Sequence, residues 1–313
     1  MIGAKLSVTF ALLAWLLGSV DWARMSELVS GMHWTPLVLA VVLLFATFIP
    51  VARRWHSITN ALGGKLGFLD ALRMIFLLVI INQVVPSNVG GDAYRIFATT
   101  RKGLDWKRAT LAAVIDRLMA LVALSIVAML GILALLSFDG LDHFRLFAVA
   151  GTVAIAGGAI AGWLFFRSSL AQRLAERSEL FAKLFAVADD LLARPVETLY
   201  LLALSAAVHC VTVMVMCIVA ANIGLDVPVL PLLGVCAVGL LVARLPISHG
   251  GWGVREGIFV LVLTPFGVAR EEALAASITY GLTELAAAAL GGVVGLGLVA
   301  ISDSDKIERE AAG

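Results

Sequence analysis

Charge is the scarcest resource in this sequence. Asp, Glu, Lys and Arg together make up 14% of 313 residues, against 61% hydrophobic residues and a mean hydropathy of +1.01. A soluble domain ordinarily carries about a quarter charged residues, so a water-soluble fold is excluded. Cysteine is also scarce. Cys210, Cys217 and Cys236 all lie in apolar segments, none forms a CxxC pair, and no histidine stands at ligand spacing from them. Neither a disulfide framework nor a metal site is expected. Cys210 and Cys217 are seven apart and read as small packing residues. There is no nucleotide-binding glycine loop, no GxSxG and no HExxH. The chain is therefore expected to be no enzyme, to hold no cofactor and not to use ATP directly. The basic residues sit in short loops rather than on one domain face, which argues against a nucleic-acid partner.

Long apolar runs are what the chain does have. They fall at about 6–20, 36–51, 69–86, 109–137, 144–166, 198–221, 229–245, 254–266 and 273–301. The first, in "KLSVTFALLAWLLGSV", lacks a small-x-small cleavage site and reads as a membrane helix rather than a signal peptide. The expected fold is an all-α polytopic integral membrane protein forming a single domain over 1–313.

Lys and Arg distribution orients the loops. Loop 52–68 has Arg53, Arg54 and Lys65; loop 99–108 has Arg101, Lys102, Lys107 and Arg108; segment 167–197 has five basic residues. Segments 21–35 and 267–272 have one basic residue each, and 138–143 and 222–228 have none. The basic loops are assigned to the cytoplasm, with both termini on that side. This assignment forces 69–98 to enter the membrane and return, and 229–266 to do so from the opposite side. The count becomes about six full spans plus two re-entrant helical hairpins.

Each hairpin carries the same break. "PSNVGGDAYR" at 86–95 and "PISHGGWGVR" at 246–255 share the pattern P-x-x-x-G-G-x-x-x-R over ten positions. Proline removes a donor and fixes φ, and paired glycines permit close backbone approach. Non-helical backbone at membrane depth is tolerated only against protein or a wet cavity. Two such motifs approaching from opposite sides, each followed by a long span, predict an inverted repeat. Repeat 1 covers 69–137 and repeat 2 covers 229–301. Between them, 168–194 has apolar residues at helical spacing among charges and reads as a cytoplasmic amphipathic linker helix.

Ionisable residues inside a bilayer are costly and mark function. Arg95 and Arg255, each just past a Gly-Gly turn, are expected to form an anion site with Gly90, Gly91, Gly250, Gly251, Arg117 and Arg244. The guanidinium fork suits phosphate, and helix N-termini add N–H groups to the same field. Asp92, Asp116, Glu256 and Glu284 are expected to pair with these arginines or to relay protons. His209 either relays protons or hydrogen-bonds across helices, and Asn82 and Gln83 read as interhelical contacts.

"NQVVPSNVGGDAYR", "VIDRLMAL" and "RLPISHGGWGVREG" resemble the flippase-like transmembrane family of the lysylphosphatidylglycerol synthases. The resemblance spans about 5–300 and implies movement of lipids between leaflets of the bacterial inner membrane. It implies a phospholipid with an anionic or aminoacylated head group as substrate. A separate lipid-modifying enzyme or glycosyltransferase is a candidate partner. The bifunctional relatives add a cytosolic aminoacyltransferase domain that these residues do not contain, so lipid synthesis is not expected. Two other readings stand beside a flippase: a transporter of a small soluble anion, and a non-catalytic subunit of an envelope synthase. A polyprenyl-dependent glycosyltransferase has thin support from Asp21 and Glu27. The small residues of 281–297 suit helix packing, within the chain or in a homo-oligomer.

Overall fold

The computed structural model describes residues 2–18, 20–85, 90–136, 167–178, 193–243 and 252–311, with scattered positions between 149 and 189. Most of the expected span 144–166, much of the linker 168–194, and Pro86, Arg244, Pro246, Gly250 and Gly251 lie outside these residues.

The described chain is all-helical. Its helices are α1 (Ile2–Leu17), α2 (Trp22–Ser30), α3 (Trp34–Ala46), α4 (Phe48–Ala61), α5 (Phe68–Val84), α6 (Gly90–Thr100), α7 (Trp106–Leu136), α8 (Ser169–Arg177), α9 (Pro195–Ile223), α10 (Val229–Ala243), α11 (Val254–Leu263) and α12 (Arg270–Ala311). Among the described residues, four helical stretches are long and apolar enough to cross a membrane: Trp34–Ala61, Trp106–Leu133, Pro195–Ile223 and Arg270–Leu298. Helix α1, with 16 residues, is shorter than these. Exposed Trp34 and Trp106 start two of the long stretches, the placement aromatic residues take at a membrane–water interface.

Two sequence expectations fail. Residues 52–61 are not loop: α3 runs through Thr47 into α4, and the helix stops at Ala61. Ala52, Trp55, Ile58 and Thr59 are buried, so the three-to-four spacing of an inward face continues past the basic pair at 53–54. Residues 22–30 likewise form α2, started by Asp21, whose carboxylate accepts from the backbone N–H of Ala23 and Arg24.

Side-chain contacts give the helix directions. Arg53 reaches Tyr200, Arg54 reaches Ser205, and Asn222 pairs with the His33 backbone, so α3–α4 and α9 are antiparallel. Gly291 lies against Phe48 and Thr279 against Met32, so α12 runs with α3–α4. Arg108 meets the Leu62 carbonyl and Arg54 meets Asp116, so α7 runs with α9.

The shorter helices fold back between these stretches. Thr99 lies against Met74 and Gly91 against Asn82, an antiparallel hairpin of α5 and α6. Its base, with Lys102 on Asp70 at 2.9 Å, sits at the bundle end that holds Ala61 and Trp106. Helices α10 and α11 also pack on each other, with Gly239 against Phe259 and Ile258. Their outer ends join Ile223 and Arg270, at the opposite end of the bundle. Glycine sets the tightest approaches: Gly131 of α7 on Gly234 of α10, and Gly291, Gly292 and Gly295 of α12 on α5 and its neighbour Phe48.

Candidate functional site

Among the described residues, charge enters the bundle in two places, one beside each hairpin. The first lies where α4, α6, α7 and α9 meet. Asp116 uses both oxygens: Oδ1 accepts from Arg54 Nε at 2.5 Å and Oδ2 from Arg95 Nη1 at 2.7 Å. Arg54 also donates to Ser205 Oγ at 2.8 Å. Arg95 continues through Nη2 to Asp92 at 2.8 Å, and Asp92 in turn accepts from Arg117 Nε. The guanidinium of Arg95 stacks 4.2 Å over the ring of Trp55.

Local sequence explains this ladder. Asp92 and Arg95 are three apart on α6 and share a face. Asp116 and Arg117 are adjacent on α7, so one points inward and the other aside: Asp116 is buried, whereas the Arg117 side chain is 53% exposed. The hairpin itself is tied by Asn82, whose Oδ1 accepts from Gly91 N–H at 2.9 Å. A Cβ on Gly91 would stand 2.8 Å from the Leu78 carbonyl oxygen, a backbone atom that cannot swing aside, so glycine is required there.

The second cluster joins α11 to α12. Arg255 donates to Glu256 Oε1 through Nη2 at 2.8 Å, to Ser277 Oγ through Nε at 3.1 Å, and to Glu284 through Nη1 at 3.2 Å. Trp252 and Tyr280 flank its guanidinium at 4.9 and 5.1 Å. Glu256 is fully buried, and its other oxygen accepts from Gly253 N–H at 2.5 Å, capping α11. Gly253 has φ +84, and a Cβ there would meet Leu12 of α1 at 2.7 Å.

A sequence model for the transmembrane region of lysylphosphatidylglycerol synthases matches residues 2–292. The chain belongs to that family. Two relatives from Methanothermobacter thermautotrophicus, each described as a UPF0104 membrane protein, are similar to it. One is 22% identical over 288 residues, covering 82% of this chain and 79% of the relative. The other is 23% identical over 298 residues, covering 87% of each. The family and the four long apolar stretches make this a multi-pass membrane protein, and both relatives are archaeal.

Within this family member, each expected arginine among the described residues sits beside acids of its own repeat. Arg95 and Arg117 meet Asp92 and Asp116; Arg255 meets Glu256 and Glu284. Among the described residues, no ion pair bridges the two clusters, so Arg95 and Arg255 stand in separate networks. His209 meets the Ala120 carbonyl at 2.9 Å, an α9–α7 contact. Gly90 and Gly91 begin α6.

Sequence reading missed six participants. Arg54 stands in what reads as a basic loop, yet it is buried and shares Asp116 with Arg95. Trp55, Ser205, Trp252, Ser277 and Tyr280 complete the two clusters. Arg54 and Trp55 had a signal in the helical spacing through 52–59; the serines and the tyrosine had none.

Proposed function

We propose that this protein moves a lipid with an anionic head group between membrane leaflets. Arg117 carries the reading. It lies 11 residues into α7, about 16 Å along a helix that rises 1.5 Å per residue, within the depth of the hydrocarbon layer. Its neighbours Leu118, Leu121 and Val122 are exposed apolar residues, so its side chain borders a surface that meets lipid. An ionisable side chain at such depth marks function, and its half-exposed face can meet a polar head group from the bilayer. Through Asp92 it connects to the buried pairs of Arg95, Asp116 and Arg54.

The two hairpins enter the bundle from opposite ends, which supports a re-entrant, inverted arrangement with a path from either face. Lys65, Arg101, Lys102, Lys107 and Arg108 gather at the end holding the α5–α6 base, while Glu271, Glu272 and Asp21 lie at the other. The positive-inside bias puts the basic end in the cytoplasm. On that orientation the α7 cluster lies toward the cytoplasmic half and the α12 cluster toward the outer half. A head group would bind to Arg117, pass beside the first hairpin tip and leave by the second, its acyl chains remaining in the bilayer.

The test is translocation in proteoliposomes. Acyl-labelled phosphatidylglycerol and phosphatidylcholine are incorporated, and the inner-leaflet pool is followed by bleaching from outside. Faster crossing of phosphatidylglycerol is expected. Equal crossing removes the anionic preference, and no crossing of either lipid removes the transport reading.

A further inference from the structure

Spacing along the chain relates Cys217 to Cys210, seven residues earlier on the same helix, but the fold gives Cys217 a different neighbour. Its side chain shares a hydrogen bond with that of Cys236 on α10. Both cysteines belong to one apolar cluster, in which Cys236 is 0% exposed and Cys217 is half-buried. Cys210 is exposed.

Helix register explains the meeting. Helix α9 ends at Ile223 and α10 begins at Val229, so residues 224–228 turn the chain back and the two helices pack on each other. Cys217 lies six residues before Ile223 and Cys236 seven residues after Val229. At 1.5 Å per residue both stand about 10 Å from the turn, at one level of the bundle. Packing is tight at that level: α10 also lies on α7 through Gly234, two residues before Cys236.

We infer that Cys217 and Cys236 are a redox-sensitive pair, a modification site at which a peroxide joins α9 to α10 by a reversible disulfide.

Unequal burial assigns the two roles. Cys217, the more accessible, is the sulfur that a small neutral oxidant such as hydrogen peroxide reaches first. Its sulfur attacks one peroxide oxygen and the O–O bond breaks, giving Cys217 sulfenic acid and one water. Cys236 then attacks the sulfenic sulfur. The S–S bond forms, the S–O bond breaks, and the hydroxyl leaves as a second water with the Cys236 proton. Two thiols and one peroxide thus give one disulfide and two waters, the sulfurs losing the two electrons that the peroxide gains. Because the sulfurs are already in contact, the second step is intramolecular and proceeds at high effective concentration. Cys210 stands about 10 Å farther along α9, so a sulfenic acid formed there meets neither thiol. The disulfide closes the loop 217–236, which restricts the unfolded chain, and it fixes the first arm of the second hairpin to the long stretch beside it.

The experiment uses the full chain, reduced and folded in non-ionic detergent. It is treated with hydrogen peroxide, free thiols are blocked with N-ethylmaleimide, and peptides are mapped by mass spectrometry without reduction. The expected product is a peptide pair joined through Cys217 and Cys236 that dithiothreitol separates. The thermal midpoint of the oxidised protein is expected to rise by several degrees and to fall back on reduction. Cys236→Ala removes the second sulfur, so Cys217 in this variant is expected to stop at sulfenic acid, which dimedone captures. Folded wild type in which Cys210 oxidises while Cys217 and Cys236 remain thiols overturns the pair, and so does a disulfide from Cys210 to either. A joined peptide pair that forms only after heat unfolding overturns it as well. So does a thermal midpoint that oxidation lowers, because it would mean that the folded helices do not meet in disulfide geometry.

Discussion

Asp116 of α7 accepts from Arg95 of α6 at 2.7 Å while its other oxygen holds Arg54 of α4. One carboxylate therefore binds the first hairpin to two neighbouring helices. Removing its charge would leave two buried guanidinium groups facing each other. Asp116→Asn is expected to cost about 3–5 kcal/mol, the usual scale for breaking a buried pair. A large fall in thermal midpoint in detergent, relative to Asp70→Asn at the partly exposed hairpin base, checks it.

The second cluster predicts a graded pair. Glu256 binds Arg255 and caps α11 through Gly253 N–H, whereas Ser277 adds single hydrogen bonds to Arg255 and Glu256. Glu256→Ala is expected to destabilise by about 3–5 kcal/mol and Ser277→Ala by about 1 kcal/mol. Thermal unfolding of both variants measures the order, and equal losses would mean that Glu256 is not the centre of this network.

Close helix approach gives a third test. A Cβ on Gly131 would lie 2.6 Å from the Gly234 Cα, a backbone atom that cannot rotate away. Gly297 on α12 has nothing within 4 Å of the same position. Gly131→Ala is expected to lose about 1–3 kcal/mol through forced separation of α7 and α10. Gly297→Ala is expected to be neutral or to gain a few tenths of a kcal/mol through lower unfolded-chain entropy. Melting curves separate the two.

The hairpin geometry predicts labelling. In a background with the three native cysteines replaced, Lys65→Cys and Lys102→Cys should react with an impermeant maleimide from one face of sealed vesicles. Glu27→Cys should react from the other face. Labelling of Lys65→Cys and Lys102→Cys from opposite faces would mean that α5–α6 crosses once instead of turning back.

Much of this architecture was legible because apolar length and helix breaks are local properties. The four long stretches follow from hydropathy, and the helix starts beside Gly90 and Gly253 follow from glycine and proline. Arg54 shows where that reasoning stops. Hydropathy falls at Arg53 and Arg54, so the run looked finished, but the helix persists because Arg54 finds Asp116 and Ser205 inside the bundle. Those partners lie 62 and 151 residues away in sequence, and no local pattern indicates them. Trp55 was hidden in the same way, as an aromatic residue beside charges assigned to a loop. The convergence of Arg95 and Arg255 depended on repeat symmetry alone, and each arginine instead meets acids of its own repeat.

The most direct test of the central claim is translocation by Arg117→Gln. Arg117 is the half-exposed end of the arginine ladder, so its loss should spare the buried pairs of Asp116. The account predicts a thermal midpoint within a few degrees of wild type and phosphatidylglycerol crossing slowed about tenfold or more, the scale of one lost charge-assisted contact. Wild-type crossing rates in folded Arg117→Gln would contradict it.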